Sequence, residues 1–249
     1  TFATATGPFG AIIAWTIAAG GMYTLARVFQ FLAERKPELD AGVYAYAKAG
    51  FGDYLGFLAV FGYWVGTCIG NVSYWVLIKA TLGAFFPIFG DGNTIAAIAV
   101  ASVGIWLFHT LILRGTQQAA FINQVVTIAK VVPIITFLFI LLTAFRFDLF
   151  QSNFFGGAGY ENVSLFDQVR ATMLVTVFVF LGIEGASVYS RFAQKREDIG
   201  AATIFGFIGV TCLMVLVTLL PFGVLERGDI AGMRQPSMAA VLESVVGPW

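Results

Sequence analysis

The sequence predicts an all-α integral membrane protein, and three observations carry that prediction. Hydrophobic residues fill 59% of the 249 positions and charged residues 11%, against about 25% charged in soluble chains. Mean hydropathy is +0.86. Six apolar runs reach the roughly 20 residues a helix needs to cross a bilayer. Backbone polar groups in lipid must be satisfied within their own segment, so continuous runs of this length are helices. Barrel strands would alternate over about ten residues instead.

The expected spans are 9–33, 55–86, 94–113, 119–144, 169–189 and 200–225, in one transmembrane domain covering 1–249. After the first comes "ERKPELDAG", where Pro37 closes one element and Asp40 suits the N-cap of the next. In "VYAYAKAGFGDYLG" polar and aromatic residues together make up about half, so it reads as an interfacial helix leading into the second span. That span, 32 residues long, can cross at a strong tilt. Pro133 predicts a kink in the fourth. "SMAAVLESVVG" is too short to span and reads as a helix lying on the membrane.

Lys and Arg set the orientation. Connections after the first, third and fifth spans hold Arg35, Lys36 and Lys48, then Arg114, then Arg191, Lys195 and Arg196. The intervening connections have none in "PIFGDGN" and only Arg146 and Arg170 at the margins of the long one. The first set is therefore expected in the cytoplasm, with both termini outside, one helix preceding Thr1 and another element opening at Trp249.

A formal net charge of zero and the lack of a basic tract argue against a nucleic-acid partner. Cys68 and Cys212 stand in apolar runs and read as buried reduced thiols. One histidine, no cysteine cluster and no paired-carboxylate or His–Glu metal spacing argue against an enzyme; no cofactor or metal is expected. Isolated polar sites, in place of a continuous polar stripe, argue against a channel.

Charges inside the runs are costly and need partners or water. Arg27 and Lys79 stand near helix ends, where a long side chain snorkels to the headgroups. His109 reads equally as a structural histidine and a proton site. Glu184 differs: it follows thirteen uncharged residues and is flanked by Gly182 and Gly185. Those glycines fit a close helix crossing or a discontinuous helix with carbonyls facing a cavity. Lys130 is also deep, beside Thr127 and Pro133, and either pairs with Glu184 or titrates. In "YWVGTCIGNVSYW", Tyr63, Thr67, Asn71 and Tyr74 share a broad face, with Gly66 and Gly70 leaving room for another backbone or a ligand. This is either an interhelical hydrogen-bond seam or the wall of a cavity for a cationic head.

"GNVSYWVL", "RKPELDAGVYAYAKAGFGDYLGF", "LRGTQQAAFIN" and "FVFLGIEGASVYSR" resemble the basic amino acid/polyamine antiporters of the amino acid–polyamine–organocation superfamily, most of all the bacterial arginine–ornithine antiporters. The resemblance implies a fold of about twelve helices built on a five-plus-five inverted repeat, of which this chain would supply helices two to seven. It implies exchange of extracellular arginine for cytoplasmic ornithine across the bacterial cytoplasmic membrane. Other cationic pairs (arginine–agmatine, lysine–cadaverine, histidine–histamine) and a proton-coupled permease are the alternatives. Cationic amino acids and the bilayer are the expected partners, and a homodimer is left open.

By the same resemblance, Asn71 contacts the distal group of the substrate, and the carbonyls of Gly66 and Thr67 face that group. Carbonyls of Phe178 and Leu181, in an unwound helix permitted by Gly182 and Gly185, receive the α-ammonium. Glu184 serves proton sensing or coupling, Tyr63 is a hydrogen-bonding tyrosine, and the Lys130 ammonium takes the place of a sodium ion. Phe178 departs from relatives with tryptophan there, and Gly200 in "QKREDIGAAT" from those with proline.

Overall fold

In the computed structural model, the described residues are 2–36, 38–39, 42–83, 85–113, 116–157, 163–180, 182, 197–233 and 237–247, with side chains at 33, 116–123 and 197–202 left aside. All regular structure among them is helical. We number the helices α1 (Pro8–Arg35), α2 (Val43–Phe51), α3 (Asp53–Gly83), α4 (Ile95–Leu113), α5 (Thr116–Ala144), α6 (Phe147–Asn153), α7 (Leu165–Val179), α8 (Glu197–Leu219), α9 (Arg227–Gly232) and α10 (Ser237–Val246). Among the described residues, five stretches are long and apolar enough to cross a membrane, lying in α1, α3, α4, α5 and from α8 into the 3-10 turn at Leu220–Gly223. Within the expected fifth span α7 ends at Val179 after 15 residues, and of the remainder up to 189 only Phe180 and Gly182 are among the described residues. Pro133 does stand inside α5, and α2 and α10 form where surface helices were expected.

The chain divides into two compact units, residues 1–64 with 144–232 and residues 65–143 with 233–249. In the first, α1 packs on α7 and α8. It does so through Ala11, Ala14, Trp15 and Ala18, all buried. Their spacing of three and four puts small side chains on one stripe, which lets helix backbones approach closely without a hydrophobic drive. Trp15 fills the centre: its ring stacks on Phe2 at 5.8 Å, meets Phe180 edge-on at 5.8 Å, and its Nε1 donates to Thr218 Oγ1 at 3.3 Å. Phe207 closes the cluster against Phe180 at 5.2 Å.

The start of α1 is tied by polar groups. Gly7 offers no side-chain cap and Pro8 brings no N–H, leaving few orphan donors. Phe9 N donates to Phe154 O at 3.0 Å, and Gln168 Oε1 accepts from Thr6 Oγ1 at 3.0 Å. Asn153 Nδ2 donates to the carbonyls of Phe222 and Leu225 at 2.8 and 2.9 Å, while its Oδ1 accepts from Arg227 N at 3.0 Å. Arg227 donates from Nη1 to Ala3 O at 2.9 Å and from Nε to Gly156 O. Residues 69 or more positions apart are thus locked at one end of the bundle.

In the second unit, α3 and α4 form a hairpin. Trp75 lies flat where α4 has Gly104: a Cβ there would stand 2.0 Å from the indole. Gly104→Val therefore overpacks a site with no slack, at a cost of about 1–3 kcal/mol. The expected result is a lower melting temperature of the full-length protein in detergent; an unchanged one would show that the indole is free to move. Thr94 caps α4, accepting from Ala97 N at 3.2 Å and donating to Ile88 O at 2.8 Å. The intervening loop turns on Gly90 and Gly92, with φ of +51° and +87°.

Two readings from the sequence are corrected. Cys68 and Cys212 are free, as expected, but exposed. Apolar side chains on a membrane helix gain nothing by turning inward, because lipid is as apolar as the core. Lys79 is not a free surface cation at the helix end: it is 4% exposed, with Nζ 5.1 Å from the Trp75 ring and 5.7 Å from the Phe89 ring. The 85–93 loop folds back over the last turns of α3 and carries Phe89 onto it. Arg27 does remain at the surface, bonded to Gln30 Oε1 at 2.8 Å.

Candidate functional site

The end of α7 is the strongest local feature. Ser164 opens the helix, its Oγ accepting from Asp167 N at 3.2 Å and donating to Asp167 Oδ2 at 2.6 Å. Gln168, Thr172 and Thr176 are buried along one side at spacings of four. The threonine hydroxyls return to their own helix, for instance Thr176 Oγ1 to Met173 O at 2.9 Å. The helix tightens to a 3-10 bond at its close, Phe180 N to Val177 O at 3.1 Å. Gly182 then has φ +107°, a conformation that L side chains avoid. Among the described residues nothing lies within 4 Å of a Cβ built there. At Gly182 the structure thus favours the break over the close crossing. A helix C-terminus carries partial negative charge on its free carbonyls, so this end attracts a cation.

Phe180, which the sequence reading passed over, holds the break in place. Its ring is buried between Trp15 and Phe207, whereas Phe178 is 47% exposed. The signal available was the alternation at 178 and 180 ahead of the glycine. Leu181, Glu184 and Gly185 lie outside the described residues, as do Arg191, Lys195 and Arg196.

The α3 candidates are open. Tyr63 is exposed. Among the described residues, nothing beyond their own helix lies within 4 Å of a Cβ built at Gly66 or Gly70. Asn71 is exposed, and its amide forms no hydrogen bond among the described residues. Lys130, in mid-α5, is exposed and makes no ion pair or hydrogen bond among the described residues. Tyr63, Phe178 and Gly182 belong to the first unit; Gly66, Thr67, Asn71 and Lys130 belong to the second. No group of three or more His, Cys, Asp or Glu suited to a metal ion occurs among the described residues.

One other hollow can be set aside. Between α1 and α7 an apolar groove of about 540 Å³ is lined by Ile13, Ile17, Phe166 and Met173, with Arg170 as its charged residue. A groove whose one charge is positive does not suit a cation.

Outside the membrane spans, Lys48 Nζ sits 2.7 Å from Asp53 Oδ1. The hydrogen bond to that carboxylate, and then its charge, raise the Lys48 pKa. A raised lysine pKa contributes fully below its unfolded value and is lost only as pH climbs through the folded one. Lys48 therefore supplies no pH dependence in the neutral range. Burial likewise raises the phenol of Tyr46.

Long apolar helices, a helix that ends three residues ahead of a glycine at positive φ and, among the described residues, the unpartnered Asn71 and Lys130 on spanning segments define a multi-pass membrane protein, the class that includes secondary transporters. The amino acid permease family profile matches residues 1–249, and the chain belongs to that family. Over 238 residues it is 57% identical to an arginine/ornithine antiporter of Pseudomonas aeruginosa, covering 96% of this chain and 49% of that protein. It is 45% identical to an L-lysine transport protein of Corynebacterium glutamicum, over 98% of the chain and 48% of that protein. An arginine/agmatine antiporter of Chlamydia caviae is 41% identical, over 96% and 50%. The chain spans about half the length of these relatives, all of which are transporters.

Proposed function

We propose that this chain is part of a secondary antiporter that exchanges extracellular arginine for cytoplasmic ornithine across the bacterial cytoplasmic membrane by alternating access. The observation that carries the reading is the 57% identity to an arginine/ornithine antiporter over nearly the whole chain. The break after α7 supports it, since carbonyls freed at a helix end suit an α-ammonium.

In this reading the carbonyls of Phe178 and Leu181 take the α-ammonium, with Gly182 and Gly185 permitting the unwound backbone. Asn71 and the carbonyls of Gly66 and Thr67 meet the distal cation. Glu184 tunes the response to pH, Tyr63 supplies a hydrogen bond, and the Lys130 ammonium stands where a sodium-coupled relative would hold its ion. An empty carrier reorients slowly, so one cation leaves as another enters.

The deciding experiment uses the full-length protein in proteoliposomes. Labelled arginine should enter rapidly when ornithine is inside and slowly into empty vesicles. Equal uptake into empty vesicles, rising with an inward proton gradient, would overturn exchange in favour of a proton-coupled permease. Faster uptake against agmatine or lysine would keep exchange and change the pair, an outcome that the 41% and 45% relatives make specific.

Two substitutions test the assignments. Asn71→Ala removes a hydrogen bond to a charged group, which is expected to raise the apparent KM for arginine about tenfold or more. An unchanged KM takes Asn71 out of the site. Glu184→Gln is expected to flatten the pH profile of exchange with little change in KM; an intact profile removes its coupling role.

A further inference from the structure

The proposed exchange makes no use of Lys79, although its side chain is the most deeply buried cation among the described residues. Two aromatic faces, Trp75 and Phe89, stabilise the ammonium. The rings supply no lone pair to its three N–H donors. No hydrogen bond or ion pair to Lys79 forms among the described residues.

Beside it lies a cavity of about 190 Å³ between α3 and α4. Lys79 and Trp75 stand towards the loop end, and Val72, Val76, Ala101 and Ile105 line the rest. Gly92 packs the loop on α3: a Cβ there would lie 2.5 Å from Val76 O. The chamber is polar at the Lys79 end and mainly apolar along its length, where Ser102 turns its hydroxyl back to Ile98 O at 2.9 Å.

Its depth in the bilayer follows from the helix. Asp53, the charged first residue of α3, is 26 residues from Lys79, about 39 Å at 1.5 Å per residue. Bilayers measure about 40–45 Å across their headgroup layers. With Asp53 at one interface, Lys79 reaches headgroup depth at the other. Val72 is about 10 Å deeper along the same helix, at acyl depth.

We propose that the α3–α4 cavity binds an anionic phospholipid, its phosphate on the Lys79 ammonium and the upper part of an acyl chain against Val72, Ala101 and Ile105. Charge complementarity selects the headgroup. A zwitterionic lipid brings its own cation to a site already holding an ammonium and two rings. The inference stands apart from the exchange reading, because it needs only the hairpin and a bilayer.

The test reconstitutes the full-length protein in mixed phosphatidylcholine and phosphatidylglycerol, extracts it in mild detergent, and counts retained lipids by native mass spectrometry. Wild type should keep phosphatidylglycerol in preference to phosphatidylcholine. Lys79→Met should lower that retention about fivefold, the weight of one basic residue at a membrane surface. Ala101→Phe keeps the cation and fills the apolar part, so it should lower retention as well. It serves as the second probe where Lys79→Met fails to elute as a single species. Equal retention by wild type and both variants overturns the site. So does a wild type that keeps both lipids alike, or neither, the last meaning that another part of the protein fills the cavity.

Discussion

Asn153→Leu is expected to lower the melting temperature of the full-length protein in detergent by about 6–12 °C. The side chain is 3% exposed and serves three backbone groups at once: the Phe222 and Leu225 carbonyls and the Arg227 N–H. Leucine matches it in size and offers none of these bonds. Each abandoned buried group costs about 1–3 kcal/mol, less for carbonyls that find a second donor. A total of about 3 kcal/mol follows, and each kcal/mol moves a cooperative unit the size of the first compact unit, which holds Asn153, by about 2–4 °C. Fluorescence-detected size exclusion after a temperature ramp reads the shift. A change under about 2 °C would mean that water replaces the amide and that the lock around α6 and α9 is incidental.

Gly182→Ala is expected to slow exchange about tenfold or more at equal protein yield. The residue sits at φ +107°, where a Cβ costs about 1–3 kcal/mol. Gly209 is the control: it lies within α8, and nothing stands within 4 Å of its Cβ position either. Gly209→Ala should leave transport unchanged, since alanine favours a helix over glycine by about 1 kcal/mol. The pair separates backbone conformation from crowding. Wild-type exchange by Gly182→Ala would show that the break has no part in transport.

The long spans were legible because length and apolarity are local properties. The reading of 94–113 differs by one residue from α4, and that of 9–33 by one or two from α1. The end of α7 was legible in kind and misplaced in position. The glycines signalled a break, but the helix stops at Val179, ahead of them, because Phe180 is drawn into the pocket made by Trp15 and Phe207. That pull is tertiary, and the alternation at 178 and 180 alone does not say which ring turns inward. The Asn153–Arg227 lock was invisible for the same reason, its partners lying 74 positions apart. Lys79 was misread because snorkelling assumes a free path to water, and the loop that covers it is specified by glycines beyond the helix. Of the site, the openness of Gly66, Gly70 and Asn71 agrees with a face meant for something else to approach.

The hydroxyls carry a last consequence. Thr16, Thr24, Ser73, Thr81, Ser102, Thr110, Thr136, Thr143 and Thr211 each donate to a carbonyl three or four residues back on their own helix. A hydroxyl engaged in this way has committed its one donor to its own helix and meets a neighbour only as an acceptor, as Thr218 does, donating to Met214 O while accepting from Trp15 Nε1. Smooth-sided helices slide with little friction, because displacement breaks dispersion contacts that re-form at the next position, not directional bonds that must first be given up. The directional bonds of the first unit gather instead at one end of α1 and α7, so its helix faces elsewhere meet largely through dispersion contacts.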